Sequence, residues 1–116
     1  MCGILGIVGD IDILKFNKCL SRIKSRGPDS TKIDIRDGVS MGINRLSVNG
    51  SEISAEQPFT NDTIMTVCNG EIFNHQELEN KYNYVPRSGS DCEVLLPHLE
   101  HGGSPEEICN SLDAEF

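Results

Sequence analysis

Cys2 is the residue whose position most strongly suggests chemistry. The chain opens Met1-Cys2-Gly3-Ile4, so removal of Met1 would leave the α-amine of Cys2 beside its own thiol. An α-amine titrates near ~8 and a free thiol near ~8.5, so the two groups can exchange a proton near neutral pH. One residue can then supply both the nucleophile and the general base. On these residues alone, a cysteine that merely follows the initiator remains the favoured interpretation.

The remaining cysteines and the histidines carry weaker signals. Five cysteines is an odd number, no two of them form a Cys-x-x-Cys pair, and no histidine cluster has metal-ligand spacing. We therefore expect neither a metal site nor a disulfide framework. We expect four cysteines to be small buried hydrophobic residues: Cys19, Cys68, Cys92 and Cys109. We expect three histidines to lie on the surface: His75, His98 and His101.

Charge and composition exclude several classes of partner. The net charge is −8 and the ten Lys and Arg residues are scattered, which disfavours nucleic acid and anionic membrane surfaces. No apolar run approaches the roughly 20 residues of a membrane-spanning helix. The opening lacks a basic segment and Asp10 and Asp12 follow it, so it is not a signal peptide. We predict a cytoplasmic protein of one domain, with a modest core.

Hydrophobic periodicity predicts the elements of the first half. Residues 4–8 form a β-branched run between glycines, typical of a buried strand. From Asp12 the spacing becomes helical, with one apolar face: Leu14, Cys19, Leu20 and Ile23. The glycine and proline of residues 26–30 end this helix. Asp37-Gly38 is a hairpin turn between a half-buried strand, which carries Ile33 and Ile35, and a returning strand over 39–45.

The second half is predicted to be richer in helices. A polar loop over 49–57 precedes a strand over 63–68, and residues 71–73 continue beyond Asn69-Gly70. Asn74 with Glu77, and Ser90 with Glu93, each fit a helix-capping box. Pro97 sits uncomfortably in the second of these helices, which Gly102-Gly103 ends, and residues 104–107 open another. The order of strands and helices predicts an α+β fold with largely antiparallel sheets.

Four further segments follow the opening Met-Cys-Gly-Ile in a fixed order: Arg26-Gly27-Pro28-Asp29, Asn44-Arg45-Leu46-Ser47, Asn69-Gly70-Glu71-Ile72-Phe73-Asn74 and Ser90-Asp91-Cys92-Glu93-Val94. Together the five resemble the successive signatures of the class II, N-terminal-nucleophile glutamine amidotransferase domain. The Gly-Glu-Ile-Phe-Asn and Arg-Gly-Pro-Asp forms favour the glutaminase domain of glutamine-dependent asparagine synthetases. Each motif alone is weak, but five collinear motifs across essentially the whole chain are specific.

The resemblance implies a role for each matching residue. Cys2 would be the nucleophile that forms a glutamyl thioester, and Asn69 and Gly70 would form the oxyanion hole. The remaining implied site residues surround the substrate or the nucleophile. Arg45 would bind the α-carboxylate of glutamine. Asp91 would bind its ammonium group, with Glu71 nearby. The backbone of Val48 and Asn49 would line the pocket, and Arg26 would position the Cys2 loop.

The resemblance also implies a fold and a wider context. The family's domain is a four-layer sandwich of antiparallel sheets between helices, and it continues past Phe116, so residues 1–116 would be a partial domain. We expect the 116 residues alone to fold weakly and to show little activity. Glutamine would be the substrate, and a synthetase domain or subunit would accept the ammonia. The glutaminase step would need no cofactor, whereas ATP and magnesium would belong to that synthetase domain.

Two other hypotheses remain open at this point. The chain could be a non-catalytic truncated remnant that acts as a binding or regulatory module. It could also be an acidic adaptor domain, although that interpretation leaves five motifs unexplained.

Overall fold

The main sheet is built by a hairpin and the first strand. The computed structural model describes residues 1–47 and 56–116, and three antiparallel strands pair in the order β1-β3-β2: β1 (Gly3–Val8), β2 (Ser30–Arg36) and β3 (Val39–Arg45). In this register Gly3 lies opposite Asn44, and Ser30 lies opposite Arg45. The start of β1 and the end of β3 therefore lie side by side at one end of the sheet, which places Cys2 beside Arg45.

The predicted hairpin turn is confirmed. Arg36 pairs with Val39 across the two-residue loop Asp37-Gly38. Both loop residues adopt positive φ, 46° at Asp37 and 76° at Gly38. Such a turn matches the right-handed twist of the flanking strands, and it fixes the register of the whole β2–β3 pair.

Helix α1 (Ile13–Arg22) packs on one face of this sheet. Asp12 caps it, because its Oδ1 accepts a 2.9 Å hydrogen bond from the N–H of Leu14. Phe16 and Leu20 are the buried residues of this helix, and a Cβ on Gly42 of β3 would approach both side chains within 3 Å.

The expected apolar face of α1 was therefore partly wrong. Leu14 is 76% exposed and Cys19 is exposed. The helix meets the sheet along the i, i+4 stripe of Phe16 and Leu20, whose centre lies about 80° from the position of Cys19 in a helix with 3.6 residues per turn.

Strand β1 differs from its prediction in a similar way. Its exposure alternates, with Ile4 and Val8 exposed and Leu5 and Ile7 partly buried. β1 is an edge strand that pairs with β3, so one of its sides has no strand neighbour in this sheet. The β-branched run correctly predicted a strand but not its burial.

The second half consists of short strand pairs and helices around a hydrophobic core. β4 (Phe59–Thr60) pairs with β5 (Met65–Thr66), which is shorter than predicted, and β6 (Glu71–Ile72) pairs with β7 (Ala114–Glu115). The helices are α2 (His75–Tyr82), α3 (Leu95–His101) and α4 (Pro105–Asn110), and two 3₁₀ turns span Lys24–Arg26 and Asp91–Val94. The core includes Phe59, Cys68, Ile72, Leu78, Cys92, Val94, Leu95 and Leu96.

Two predicted capping boxes are not formed. Asn74 precedes α2 but makes no side-chain cap. Its Nδ2 donates to the carbonyl of Ser111, and its Oδ1 accepts from the N–H of Asp113. Ser90 likewise makes no cap, because Glu93 is buried in a separate network. Asn74 connects segments distant in sequence, and Glu93 binds the loop that precedes its own turn; local spacing could not predict either contact.

The C-terminal helices follow their local signals. Ser104 and Glu107 form the predicted capping box at α4, with Pro105 in the first turn. Gly102 is the C-cap of α3, as predicted. Pro97 is tolerated because α3 begins only two residues before it, where its missing N–H costs no helical hydrogen bond.

Burial of the cysteines and histidines corrects several expectations. Cys68 and Cys92 are buried as predicted, but Cys19 and Cys109 are exposed. His98 is only 1% exposed, contrary to the surface position expected for it. Its Nδ1 lies 2.9 Å from the hydroxyl of Tyr82, and its Nε2 lies 3.1 Å from the carbonyl oxygen of Ile108. The hydrogen bonds tie α3 to its neighbours and explain how a histidine is accommodated inside.

The predicted α+β class with antiparallel sheets is confirmed. The layered sandwich remains a prediction. Within the described residues, no helix is long and apolar enough to cross a membrane.

Candidate active site

A cavity of about 350 Å³ lies between the open edge of the main sheet and the second half of the chain. Its lining includes six of the residues that the sequence motifs pointed to: Cys2, Arg45, Asn69, Gly70, Glu71 and Asp91. These residues come from four segments spread over 90 positions of the chain. Val48 and Asn49 lie outside the described residues.

Cys2 is held at this cavity by contacts on both sides. Its backbone N–H donates to Oδ1 of Asn69 at 2.6 Å. Its Sγ lies 3.4 Å from the backbone nitrogen of Leu46, which donates to it, and 3.8 Å from the carbonyl oxygen of Leu46. Arg26 donates from Nε to the carbonyl oxygen of Cys2 at 3.2 Å. The backbone and the thiol of Cys2 are thus both fixed in position, and the side chain is only partly buried.

The loop of the Arg-Gly-Pro-Asp motif connects Cys2 to the strand that carries Arg45. A Cβ on Gly27 would overlap the backbone carbonyl of Asn44, so only glycine allows this approach. Asp29 clamps the chain just beyond β3, because its N–H donates to the carbonyl of Arg45 and its Oδ2 accepts from the N–H of Ser47. The motif therefore holds β3, Arg45 and Cys2 in one arrangement.

Asn69 and Gly70 line the same cavity as Cys2. The contact with the Cys2 N–H identifies Oδ1 of Asn69 as the acceptor, so the Nδ2 donor of the same amide is directed away from the Cys2 nitrogen. A Cβ on Gly70 would overlap the carbonyl of Glu115 and approach Cδ1 of Phe116 at 2.7 Å. The β6–β7 pairing thus packs directly against this turn.

Two opposite charges face the same cavity. Arg45 is 9% exposed and lies at the end of the central strand. Asp91 begins the 3₁₀ turn, and its Oδ2 accepts a 2.6 Å hydrogen bond from the N–H of Ile72. Glu71, whose side chain is exposed, also lines the cavity. A guanidinium and a carboxylate separated in this way suit a ligand that carries both a negative and a positive group.

The whole chain matches the family model described as a glutamine amidotransferase domain, over residues 1–116. The chain belongs to this glutamine amidotransferase family. The match covers every motif that lines the cavity, so the resemblance stated from the motifs is confirmed.

Relatives of this amidotransferase chain carry asparagine synthetase names. It is 35% identical to a probable asparagine synthetase (glutamine-hydrolyzing) of Acanthamoeba polyphaga mimivirus, over 100% of this chain and 22% of that protein. It is 36% identical to asparagine synthetase (glutamine-hydrolyzing) 3 of Arabidopsis thaliana and 33% identical to the Zea mays asparagine synthetase, in each case over 100% of this chain and 21% of the relative. The chain thus spans about a fifth of the length of these relatives.

The amidotransferase chain contains a buried carboxylate that the sequence interpretation missed. Glu93 is 1% exposed and accepts four hydrogen bonds, from the hydroxyl of Tyr84, from the N–H of Arg87, and from both the N–H and Oγ of Ser88. Burial raises the pKa of Glu93, but the hydrogen bonds from Ser88, Arg87 and Tyr84 outweigh it and bring the pKa below its ordinary value. Burial and the neighbouring Glu93 raise the pKa of Tyr84 to about 12, so its phenol remains a donor at neutral pH.

Gln57 is a second residue that sequence analysis missed. It lines the cavity and is 8% exposed, and its Oε1 accepts a 2.6 Å hydrogen bond from the N–H of Cys68. It therefore supports the backbone directly before Asn69. Neither Gln57 nor Glu93 has a local pattern that distinguishes it from a surface residue. Among the residues that the structure describes, no group of three or more His, Cys, Asp or Glu side chains could hold a metal ion.

Proposed function

We propose that this chain hydrolyses glutamine to glutamate and ammonia, with Cys2 as the nucleophile. The observation that carries the proposal is the 2.6 Å hydrogen bond from the Cys2 N–H to Asn69, in a cavity that also exposes Arg45 and Asp91. It brings the nucleophile's nitrogen, a side-chain amide and two opposite charges to one place. The family match supports glutamine as the class of substrate.

The proposed reaction begins with the α-amine that removal of Met1 exposes on Cys2. This amine takes the proton of the Cys2 thiol, and the thiolate attacks the side-chain amide carbon of glutamine. The C–N bond then breaks, the amine returns the proton to the leaving nitrogen, and ammonia departs. A γ-glutamyl thioester remains on Cys2. Water, deprotonated by the same amine, hydrolyses this thioester to glutamate and restores the thiol.

Charge develops on the amide oxygen in both tetrahedral intermediates. Nδ2 of Asn69 and the backbone N–H of Gly70 are the donors that we assign to this oxyanion. The assignment uses both ends of the Asn69 amide, because Oδ1 holds the Cys2 nitrogen while Nδ2 serves the substrate. Nucleophile and oxyanion hole are then coupled through a single side chain.

The two ends of glutamine are assigned to the two charges. Arg45 would hold the α-carboxylate, since a guanidinium fits a carboxylate with two parallel hydrogen bonds. Asp91 would hold the α-ammonium with the oxygen that Ile72 does not occupy, and Glu71 would add negative charge at the rim. Val48 and Asn49 would complete the pocket wall. Arg26 would act on the nucleophile through its contact with the Cys2 carbonyl.

The names of the relatives support a proposal for the destination of the ammonia. They are described as glutamine-hydrolyzing asparagine synthetases, and their extra length leaves room for a second catalytic domain. We propose that a synthetase domain or subunit accepts ammonia from this chain, and that ATP and magnesium act there. The glutaminase step itself would use the groups described above and no cofactor. The layered sandwich of the family would frame the site.

Glutamate release from glutamine tests this function. In a context in which residues 1–116 fold, alone or joined to the following segment of a relative, the protein should release glutamate, and Cys2→Ala should abolish release while leaving the thermal transition unchanged. Cys109→Ala is the matched control, because Cys109 is exposed and does not line the cavity. A folded wild-type chain that binds glutamine without turnover would instead support the non-catalytic binding module.

A further inference from the structure

Gln57 is a buried polar side chain in the wall of the candidate active site, and the reaction proposed above gives it no role. It is 8% exposed and lines the cavity together with Asn69 and Gly70. Its Oε1 accepts a 2.6 Å hydrogen bond from the N–H of Cys68, the residue directly before Asn69. Burying an amide costs free energy unless its polar atoms find partners, and the N–H of Cys68 is the partner of this oxygen.

The position of Gln57 follows from the register of β4 and β5. Phe59 pairs with Thr66, so continuing this register by two residues sets Gln57 opposite Cys68. Backbone pairing ends before this point, where Pro58 has no N–H to donate. The side chain of Gln57 supplies the carbonyl oxygen that the interrupted ladder does not. It thus extends the strand pair by one hydrogen bond.

Residues 68–72, which we call the oxyanion turn, are held by a side chain at each end. At the start of the turn, Oε1 of Gln57 accepts from the N–H of Cys68 at 2.6 Å. At its end, Oδ2 of Asp91 accepts from the N–H of Ile72, also at 2.6 Å. Both proposed oxyanion donors lie between these two supports, so their position depends on both contacts.

The two supports differ in what else they do. Asp91 is assigned to the ammonium group of glutamine, so the substrate would contact this support directly. The oxygen of Gln57 is already bound to the backbone of Cys68, and the substrate charges are assigned to Arg45 and Asp91. A change at Gln57 should therefore act on the position of Asn69 and leave the groups that hold the two ends of glutamine in place.

We propose that Gln57 is a positioning residue, which holds the oxyanion turn in the geometry that stabilises the tetrahedral intermediates. This inference rests on the glutaminase function proposed above. Only the Cα of Cys68 separates the supported nitrogen from the rigid peptide group of Asn69, so movement at one is carried to the other. Catalytic groups must be held within about 0.5 Å of their productive geometry. A misplacement of about 1 Å can lower a rate by on the order of 10²-fold.

A purely structural role for Gln57 is the alternative, and variants of matched size separate the two roles. Gln57→Met keeps an unbranched side chain of similar length but offers only a weak acceptor. Gln57→Glu keeps an oxygen acceptor with the same reach. Gln76→Met makes the same substitution at an exposed position of α2 and serves as the control.

Amide hydrogen exchange and glutamine affinity test the contact without turnover. The variants are made in the Cys2→Ala chain, in a context in which residues 1–116 fold, alone or joined to the following segment of a relative. Gln57→Met should exchange the Cys68 amide at least about tenfold faster, and Gln57→Glu should restore slow exchange. The Kd for glutamine should stay within about threefold of the Cys2→Ala value. Unchanged exchange, or a Kd that rises beyond this range, would overturn the proposal.

Steady-state glutamate release tests the consequence in chains that retain Cys2. Gln57→Met should lower kcat by about 10 to 10²-fold with little change in KM. Gln57→Glu should recover part of kcat, because it restores the support but adds a negative charge near the oxyanion. Gln76→Met should behave as wild type.

Gln57→Asn keeps the amide but falls one methylene short of Cys68, so it carries the same expectations if Gln57→Met does not fold. A wild-type kcat in a folded variant whose Cys68 amide exchanges faster would overturn the proposal. So would an equal loss of kcat in Gln57→Met and Gln57→Glu. A folded wild type without turnover would refute the proposed function instead, while the exchange rates still decide the contact.

Discussion

The backbone nitrogen of Cys2 and Oδ1 of Asn69 are 2.6 Å apart, 67 positions away from each other in the chain. This hydrogen bond joins the proposed nucleophile, Cys2, to the turn that carries the proposed oxyanion hole. With Met1 in place its direction is fixed, because a backbone amide N–H can only donate. Asn69 binds Cys2 through Oδ1, and we assign its Nδ2 to the substrate, which makes it the most informative residue to change.

Asn69→Ala should lower kcat by about 10² to 10³-fold with little change in KM, since the lost donor acts mainly in the transition state. Asn69→Asp keeps the acceptor for Cys2 but lacks the donor and adds a negative charge, so it should be no better than Asn69→Ala. Steady-state glutamate release measures both. Asn80→Ala, on the exposed face of α2, is the control. Wild-type kcat in Asn69→Asp would show that Nδ2 has no role.

Arg45→Ala should weaken capture of glutamine more than the chemistry on bound substrate. Loss of a charge-assisted bidentate contact corresponds to a fall in kcat/KM on the order of 10²-fold. Arg45→Lys should recover only part of this, because lysine keeps the charge without the planar pair of donors. Arg45 is 9% exposed, so thermal unfolding is recorded alongside. Arg22→Ala, an exposed arginine at the end of α1, serves as the control. An unchanged kcat/KM in folded Arg45→Ala would refute the assignment.

Much of this arrangement could be predicted from the sequence, for identifiable reasons. The Asp37-Gly38 turn and the Ser104 capping box are local signals, and both form as predicted. The motif residues also meet at one cavity, although they are far apart in sequence. Their assigned roles stay predictions until the variants are measured.

What the sequence could not predict depends on tertiary contacts. Asn74 and Glu93 each fit a local capping pattern. Asn74 instead binds the distant Ser111, and Glu93 binds the loop that contains Tyr84 and Ser88. His98 is buried because Tyr82 and Ile108 from neighbouring elements satisfy its ring nitrogens. Leu14 is exposed because the sheet covers only one narrow stripe of α1. In each case a partner that local spacing cannot identify decides the outcome.

Gly27→Ala should destabilise the fold and the site together. The added methyl group would overlap the carbonyl of Asn44, so the loop must move away from β3. Overpacking of this kind costs about 1–3 kcal/mol, and the movement also shifts Arg26 away from the Cys2 carbonyl. Gly6→Ala is the matched control, because a Cβ there meets no atom within 4 Å. Urea unfolding and glutamate release report the two effects. Equal stability of the two variants would contradict the close approach.

Glu93→Gln should lower the free energy of unfolding at neutral pH by about 2–4 kcal/mol, because a buried carboxylate with four donors is replaced by an amide that cannot accept them all. The pKa of Glu93 in the folded chain is below its ordinary value of 4.5. The ionised carboxylate therefore contributes its full stabilisation of the fold above pH 4.5, and this contribution is lost as the pH falls through the pKa of the folded chain. Denaturant unfolding from pH 7 to pH 3 should show that the difference in the free energy of unfolding between wild type and Glu93→Gln becomes smaller. A difference in the free energy of unfolding that grows on acidification would contradict this account.

The mass of the N-terminal peptide, taken from protein made in its native host and acid-quenched during turnover with glutamine, tests the central claim most directly. The account predicts a peptide that begins at Cys2, has a free α-amine, and in part carries one γ-glutamyl group as a thioester. Omitting glutamine should remove the adduct, and Asn69→Ala should lower the rate at which it forms. A retained Met1, an acetylated Cys2, or glutamate release with the γ-glutamyl group on another residue would contradict the mechanism.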